Sequence, residues 1–270
     1  MGIGNTNKSY VVELIALKNI PLVESNDDLG SIICSACASS GIELEDRDII
    51  VVASKIISKA EGRLVSLKGV TPSNKAIEIA EKSGKDPRVV ELMLSESKDI
   101  ISVRKGVITT LHKLGFICTS ACVDRSNAAA ESEEMVSLLP LDPDKSASRI
   151  RRKIWELTHK KVGVLINDSL GVQYRHGSIG MAVGISGVPA MLVGVPDEKD
   201  LYGKRRNVMV SFADEASAAG SLLMGQSNQG RPIAIIRGLD YPDGDGKLSE
   251  IIETDRILED MAKLKEGKMS

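Results

Sequence analysis

Aromatic residues are scarce in this chain, 3% of 270 positions, with one tryptophan and two phenylalanines. A protein that stacks nucleobases on ring platforms needs more. A basic excess is missing as well: 35 Lys and Arg against 37 Asp and Glu give a net charge of −2. Phosphate backbones are bound through cationic surplus, so no nucleic-acid partner is expected. No apolar run approaches the ~18–20 residues of a membrane-spanning helix, and the polar first ten residues lack the apolar centre of a signal peptide. A cytoplasmic location with no membrane partner is the expectation. The three histidines, His112, His159 and His176, lie far apart and form no H-E-x-x-H or Ser/His/Asp signature. The four cysteines are Cys34, Cys37, Cys118 and Cys122. Two such pairs suit zinc, but Ile32, Ile33, Ala36 and Ala38 around the first pair favour small reduced core residues on a helix.

Hydrophobic residues, at 42%, are mostly aliphatic, and charged residues make up 27%. That is an ordinary globular balance, and the length suits one unit, with room for two lobes. Apolar stretches predict strands over 11–20, 48–53, 162–166 and 233–236, and a β-rich run over 103–122 with turns at Gly106 and Gly115. Helices are predicted from an Asn26–Asp28 cap to Gly41, from Pro72 to Gly84, over 87–97, over 143–160 and over 211–224. In the helix over 143–160, Ile150, Ile154 and Leu157 recur at helical spacing, flanked by Arg149, Arg151, Arg152 and Lys153 as a solvated face. A charged helix is predicted over 251–270. Strands and helices mix without a βαβ rhythm, which favours α+β over a Rossmann sheet.

Three segments carry chemistry. Residues 54–63, S-K-I-I-S-K-A-E-G-R, follow a buried strand and read as a basic turn. Lys55 and Lys59 offer point charge, and backbone N–H groups near Gly62 offer donors to polyphosphate. A plain basic surface turn explains the same residues equally well, and no Walker A pattern is present. Residues 122–127, C-V-D-R-S-N, close the β-rich run with Asp124, Ser126 and Asn127; alone they read as an Asx turn. Residues 166–171, I-N-D-S-L-G, place Asp168 and Ser169 at a strand end, a common way to hold Mg²⁺ or Mn²⁺ with phosphate oxygens. Basic residues and carboxylates together are what a polyphosphate site requires.

Ten ordered blocks then carry a resemblance. They begin with I-P-L-V (Ile20, Pro21, Leu22, Val23), S-K-I-I-S-K-A-E-G-R and V-D-R-S-N. They continue through L-L-P-L-D-P-D-K-S-A-S-R-I-R, N-D-S-L-G, A-V-G-I-S-G-V and D-L-Y-G, and end with A-D-E-A, L-L-M-G and I-I-R-G-L. The chain resembles the coenzyme F420-0:γ-glutamyl ligases from about Val11 to Leu239. The resemblance implies a two-lobed α+β fold, an intertwined homodimer, and cosubstrate GTP with Mg²⁺ or Mn²⁺ assisted by K⁺. It implies addition of L-glutamate to the carboxyl of F420-0 or a related carboxylate, through an acyl phosphate, with further γ-linked glutamates possible.

By the same resemblance Ile20 to Val23, Ser54, Lys55, Lys59 and Asn127 would contact GTP. Asp124 and Asp168 would hold one metal, Ser169 would help with a second, and Gly225 and Gln226 would add nucleotide or metal contacts. Asp124, Asp168 and Lys59 would carry the catalysis. Two departures stand out. Asp168-Ser169-Leu170-Gly171-Val172 stands where the family reads D-T-F-G-R, and Gly177-Ser178-Ile179-Gly180 replaces G-Q-x-[DN]. These put the acceptor in question, so an amide ligase acting on a different carboxylate is the alternative. A non-catalytic nucleotide-binding relative is the remaining one.

Overall fold

The computed structural model describes residues 10–128, 134–172, 175–193, 199–204 and 208–265. It opens with β1 (Glu13–Ala16), α1 (Leu29–Ser39), β2 (Ile49–Ala53) and α2 (Ser54–Ala60). Then come β3 (Leu64–Ser66), α3 (Asn74–Ser83), α4 (Pro87–Ser95), β4 (Ser97–Arg104), β5 (Val107–His112), β6 (Ile117–Thr119) and β7 (Met135–Ser137). The chain continues with α5 (Pro143–Thr158), β8 (Gly163–Gly171), β9 (Ser178–Ser186), β10 (Leu192–Val193) and β11 (Met209–Val210). It ends with α6 (Phe212–Met224), β12 (Ile233–Arg237) and α7 (Thr254–Lys265). This is a mixed α+β fold. Among the described residues no helix is long and apolar enough to cross a membrane.

The main sheet has the order β1-β12-β2-β8-β9. Only β2 and β8 pair in parallel; the other neighbours are antiparallel. The C-terminal ends of β1 and β2 therefore lie along one sheet edge beside the start of β12. β2 reads I-I-V-V-A because both of its faces are covered. Ile50 and Val52 join a core with Ile33 of α1 and Ile150 and Ile154 of α5. Ile49 and Val51 face the other way, onto Phe212, Ala213 and Ala216 of α6. A side chain at Gly220 of α6 would sit 2.7 Å from Val51 Cβ, so glycine there is what lets the helix close on the sheet. Each fully buried isoleucine of β2 contributes roughly 1.5–3 kcal/mol from burial.

A third core belongs to the stretch between α2 and α5. Leu67, Ile79 of α3, Val90 and Met93 of α4, Ile108 of β5 and Val136 of β7 pack together there. The strands of this part form the three-stranded sheet β4-β5-β6 and the pair β3-β7.

Three local predictions need correction. The strand foreseen over 11–20 pairs only over Glu13–Ala16, because Asn19 takes a left-handed φ of 58° and turns the chain away. The basic turn over 54–63 is instead the helix α2, which leaves β2 without a loop; Gly62 lies past its end. Asp168 is not at a strand end: β8 runs on to Gly171, since its hairpin with β9 continues after β2 has stopped at Ala53. The face of α5 read as solvated is also partly used. Arg149 reaches Glu61, Arg151 donates to the Val162 carbonyl, and Lys153 pairs with Asp28.

Candidate active site

The register of the sheet builds the site. Ala53 lies opposite Asn167, so the next residues, Ser54 and Asp168, are neighbours across β2 and β8. Ser54 Oγ donates to Asp168 Oδ1 at 2.7 Å. One residue on, Lys55 reaches away from the sheet. Its Nζ lies 2.7 Å from Asp124 Oδ2 and donates to Ser126 Oγ at 2.6 Å. Asp124 also accepts the Ser126 N–H at 2.7 Å, so the Asx turn read from sequence exists and the same carboxylate meets a lysine. Asp124 is held by a bridge to Ser137, at the end of β7. The two carboxylates thus come from opposite sides, one from the central sheet and one from the part with its own core. Asn127 Nδ2 spans between the parts too, donating to the Ser227 carbonyl at 3.0 Å.

Between these groups lies a cleft of about 720 Å³. Ile20, Pro21, Leu22, Val23, Ser54, Lys55, Lys59, Asp124, Asn127, Asp168, Ser169, Gly225 and Gln226 all line it. Every residue that the resemblance assigned to the site is therefore on this one surface. A smaller cavity of about 510 Å³ sits at the start of α1, lined by Asp28, Glu61, Ser146 and Arg149. Its charges satisfy one another, Glu61 accepting from both Ser146 and Arg149. The larger cleft is the one with chemistry to offer.

The aspartates differ electrostatically. Burial pushes the Asp168 carboxyl above its ordinary range, opposed by the Ser54 hydroxyl and the Lys55 charge. Burial also raises Asp124, but the Lys55 hydrogen bond and charge and the Ser126 donors outweigh it and hold Asp124 below its ordinary value. The Cys122 thiol lies against Cys118 and Asp168; its hydrogen bond with Cys118, then burial, push it well up. These two cysteines are remote in sequence and element from Cys34 and Cys37 on α1.

The donor set fits a hard divalent cation. It consists of oxygens only, two carboxylates and the hydroxyls of Ser54 and Ser169. Asp124 and Asp168 would hold such an ion between them.

Residues 18–238 match the F420-0:γ-glutamyl ligase family. The chain belongs to that family. It is 42% identical over 234 residues to the coenzyme F420:L-glutamate ligase of Methanothermobacter thermautotrophicus, covering 86% of this chain and 90% of that protein. The protein of the same name from Methanocaldococcus jannaschii is 43% identical over 210 residues, covering 77% and 82%. That of Methanosarcina mazei is 38% identical over 241 residues, covering 88% and 91%.

Two features of the site were not legible in the sequence. Ser120, Ala121 and Cys122 all take left-handed φ values, 56°, 48° and 54°. Three such residues in a row without glycine store strain two positions ahead of Asp124. Arg231 also lines the cleft; a lone basic residue between Gly230 and Pro232, just before a buried strand, was the available signal. The departure at Gly180 has a structural counterpart. A Cβ there would lie 2.5 Å from Asn167 Oδ1 and 2.4 Å from Ser221 Cβ, so Asn167 fills the space that a side chain at 180 would need. Val172 is half-buried at the end of the β8 hairpin strand, and Tyr174 lies outside the described residues.

Proposed function

We propose that this chain joins L-glutamate to the terminal carboxyl of F420-0, using GTP and Mg²⁺ or Mn²⁺, with a monovalent cation such as K⁺ assisting. The observation that carries the reading is the convergence of Asp124, Asp168, Lys55 and Lys59 on one cleft in a chain of this family. The names of its relatives, coenzyme F420:L-glutamate ligases, support the same acceptor and amine.

A carboxylate is a poor acyl donor. Transfer of the γ-phosphoryl group of GTP to it gives an acyl phosphate and GDP; the glutamate amine then attacks the carbonyl and phosphate leaves. A bound divalent cation supplies charge neutralisation at the phosphates. The chain's own part is positioning and electrostatics. Ser54 orients Asp168, Asp124 and Asp168 hold the cation, and Lys55 and Lys59 offset remaining negative charge. Ile20 to Val23, Asn127, Gly225 and Gln226 form the wall on which the nucleotide rests. Leu22, 89% exposed at the mouth, is free to cover a ligand.

The homodimer belongs to the same reading. Val193, Leu201, Tyr202, Val208 and Met209 form an exposed apolar stretch around β10 and β11, with Leu201 98% and Tyr202 96% exposed. A lone soluble chain gains nothing from such a surface, and a partner copy would cover it.

The test is mass spectrometry of the purified protein with GTP, Mn²⁺ or Mg²⁺, L-glutamate and F420-0. A GTP-dependent product heavier by one or more glutamates is the expected result. Metal-dependent GTP binding without product would favour a different carboxylate acceptor, the reading that Val172 and Gly180 motivate. Absence of GTP binding would leave a non-catalytic relative.

A further inference from the structure

Arg231 follows Gly230, whose φ is 64°, and leads through Pro232 into β12. The Ala53 N–H donates to the Pro232 carbonyl at 2.8 Å, and Ile233 is in register with Val52. Continuing that register sets Arg231 across from Ser54, which is itself across from Asp168. The three residues therefore form a row over the ends of β12, β2 and β8. Neighbouring strands lie about 4.8 Å apart, so Arg231 stands roughly 10 Å from Asp168 along the sheet edge. Strand alternation gives Arg231 the face of Ile233 and Ile235, the face that also carries Val52 and Ile166 and, by the same alternation, Ser54 and Asp168.

Its side chain lines the cleft. Its Nε is buried without a partner, and the guanidinium has no ion pair among the described residues. Lys55, by contrast, already has a carboxylate partner in Asp124. A half-buried guanidinium with an unmet N–H lacks an acceptor, and its planar fork matches a carboxylate in two parallel hydrogen bonds. A polyphosphate would be neutralised at the other end of the row, by the two lysines and the cation that Asp124 and Asp168 would hold.

We propose that Arg231 is the specificity residue for the amino-acid substrate, binding a carboxylate of the incoming glutamate so that its amine faces the activated carbonyl beside Asp168. The assignment rests on the ligase reaction proposed above. It adds an amino-acid subsite at the β12 end of the row, separate from the nucleotide and the metal.

The experiment compares wild type with Arg231→Gln and Arg231→Lys by two readouts. One is steady-state kinetics with each substrate varied in turn. The other is calorimetric titration of L-glutamate into the protein with GDP and Mg²⁺. The expected result for Arg231→Gln is a tenfold or greater rise in the KM for glutamate, with KM for GTP and for F420-0 within twofold, and a matching loss of glutamate binding. Arg231→Lys, which keeps the charge but not the fork, falls between and guards against a folding artefact. Unchanged glutamate KM and binding would overturn the assignment, as would a shift confined to GTP or to F420-0. If wild type makes no glutamylated F420 but binds L-glutamate in an Arg231-dependent way, the subsite stands and the acceptor is wrong. If wild type binds no L-glutamate at all, the subsite falls.

Discussion

Ser54 Oγ donates to Asp168 Oδ1 at 2.7 Å, tying the first residue of α2 to a carboxylate inside β8. The bond fixes which Asp168 oxygen faces Ser54. Removing a group that orients a metal-holding carboxylate typically weakens metal affinity by roughly 10- to 100-fold. Ser54→Ala is therefore expected to lose metal-dependent GTP affinity by about that factor while keeping the fold. Asp168→Asn is expected to abolish it. Titration of Mn²⁺ and GTP into each variant decides; normal affinity in Asp168→Asn would remove the aspartate from the metal site.

Gly180 and Asn167 make a second, paired prediction. A methyl at 180 meets Asn167 Oδ1 at 2.5 Å and the Ser221 side chain at 2.4 Å. Crowding of this kind costs about 1–3 kcal/mol. Gly180→Ala should destabilise by that amount, and adding Asn167→Ala should recover part of it, since the clash then vanishes on one side. Urea denaturation of the two single variants and the double closes the cycle. Strict additivity would mean that the two residues do not share the space.

The aspartates, lysines and strands were readable because their signals are local: a β-branched run, a charged residue after it, a cap before a helix. Their meeting was not, because it depends on register between segments more than a hundred residues apart. Asp168 looked terminal because the apolar run ends at Ile166, yet the strand continues through hairpin pairing with β9, which local composition does not encode. Residues 54–60 looked like a turn because of the lysines and Gly62, yet their burial pattern places Ser54, Ile56, Ile57 and Ser58 inside, as one face of a helix against the sheet. The left-handed run at Ser120 to Cys122 carries no glycine or asparagine to announce it.

The entry to β2 is held by a buried pair. Arg237 of β12 donates from Nε to Asp48 Oδ1 at 2.9 Å and from Nη2 to Oδ2 at 2.7 Å, and Asp48 is 1% exposed. Asp48 also accepts the Glu45 N–H at 2.8 Å. Removing one partner leaves the other charge buried and alone, which costs about 3–5 kcal/mol. Arg237→Met should lower stability by that amount in chemical denaturation, far more than loss of the exposed pair Lys82–Glu78 by Lys82→Met. Equal effects from both substitutions would rule out a structural role for the buried pair.

His112 sets an acid limit on stability. It is 2% exposed, stacks on Phe116 at a centroid distance of 5.2 Å, and accepts the Leu114 N–H on Nδ1 at 3.0 Å. Burial, then the positive charges of Lys113, Arg63 and Lys98, lower its pKa from 6.5 to about 4. The folded chain thus keeps His112 neutral where the unfolded chain protonates it. Between about pH 6.5 and pH 4 the unfolded state binds more protons, so stability rises with pH in that window. The contribution is fully present above pH 6.5, is lost as pH falls, and is gone near pH 4; its size is about 3 kcal/mol at most. His112→Asn, whose Oδ1 can replace Nδ1 as acceptor, should flatten that part of the acid limb. Urea denaturation of both proteins at pH 7.5, 5.5 and 4 measures it, and parallel losses in the two would show that His112 does not titrate with folding.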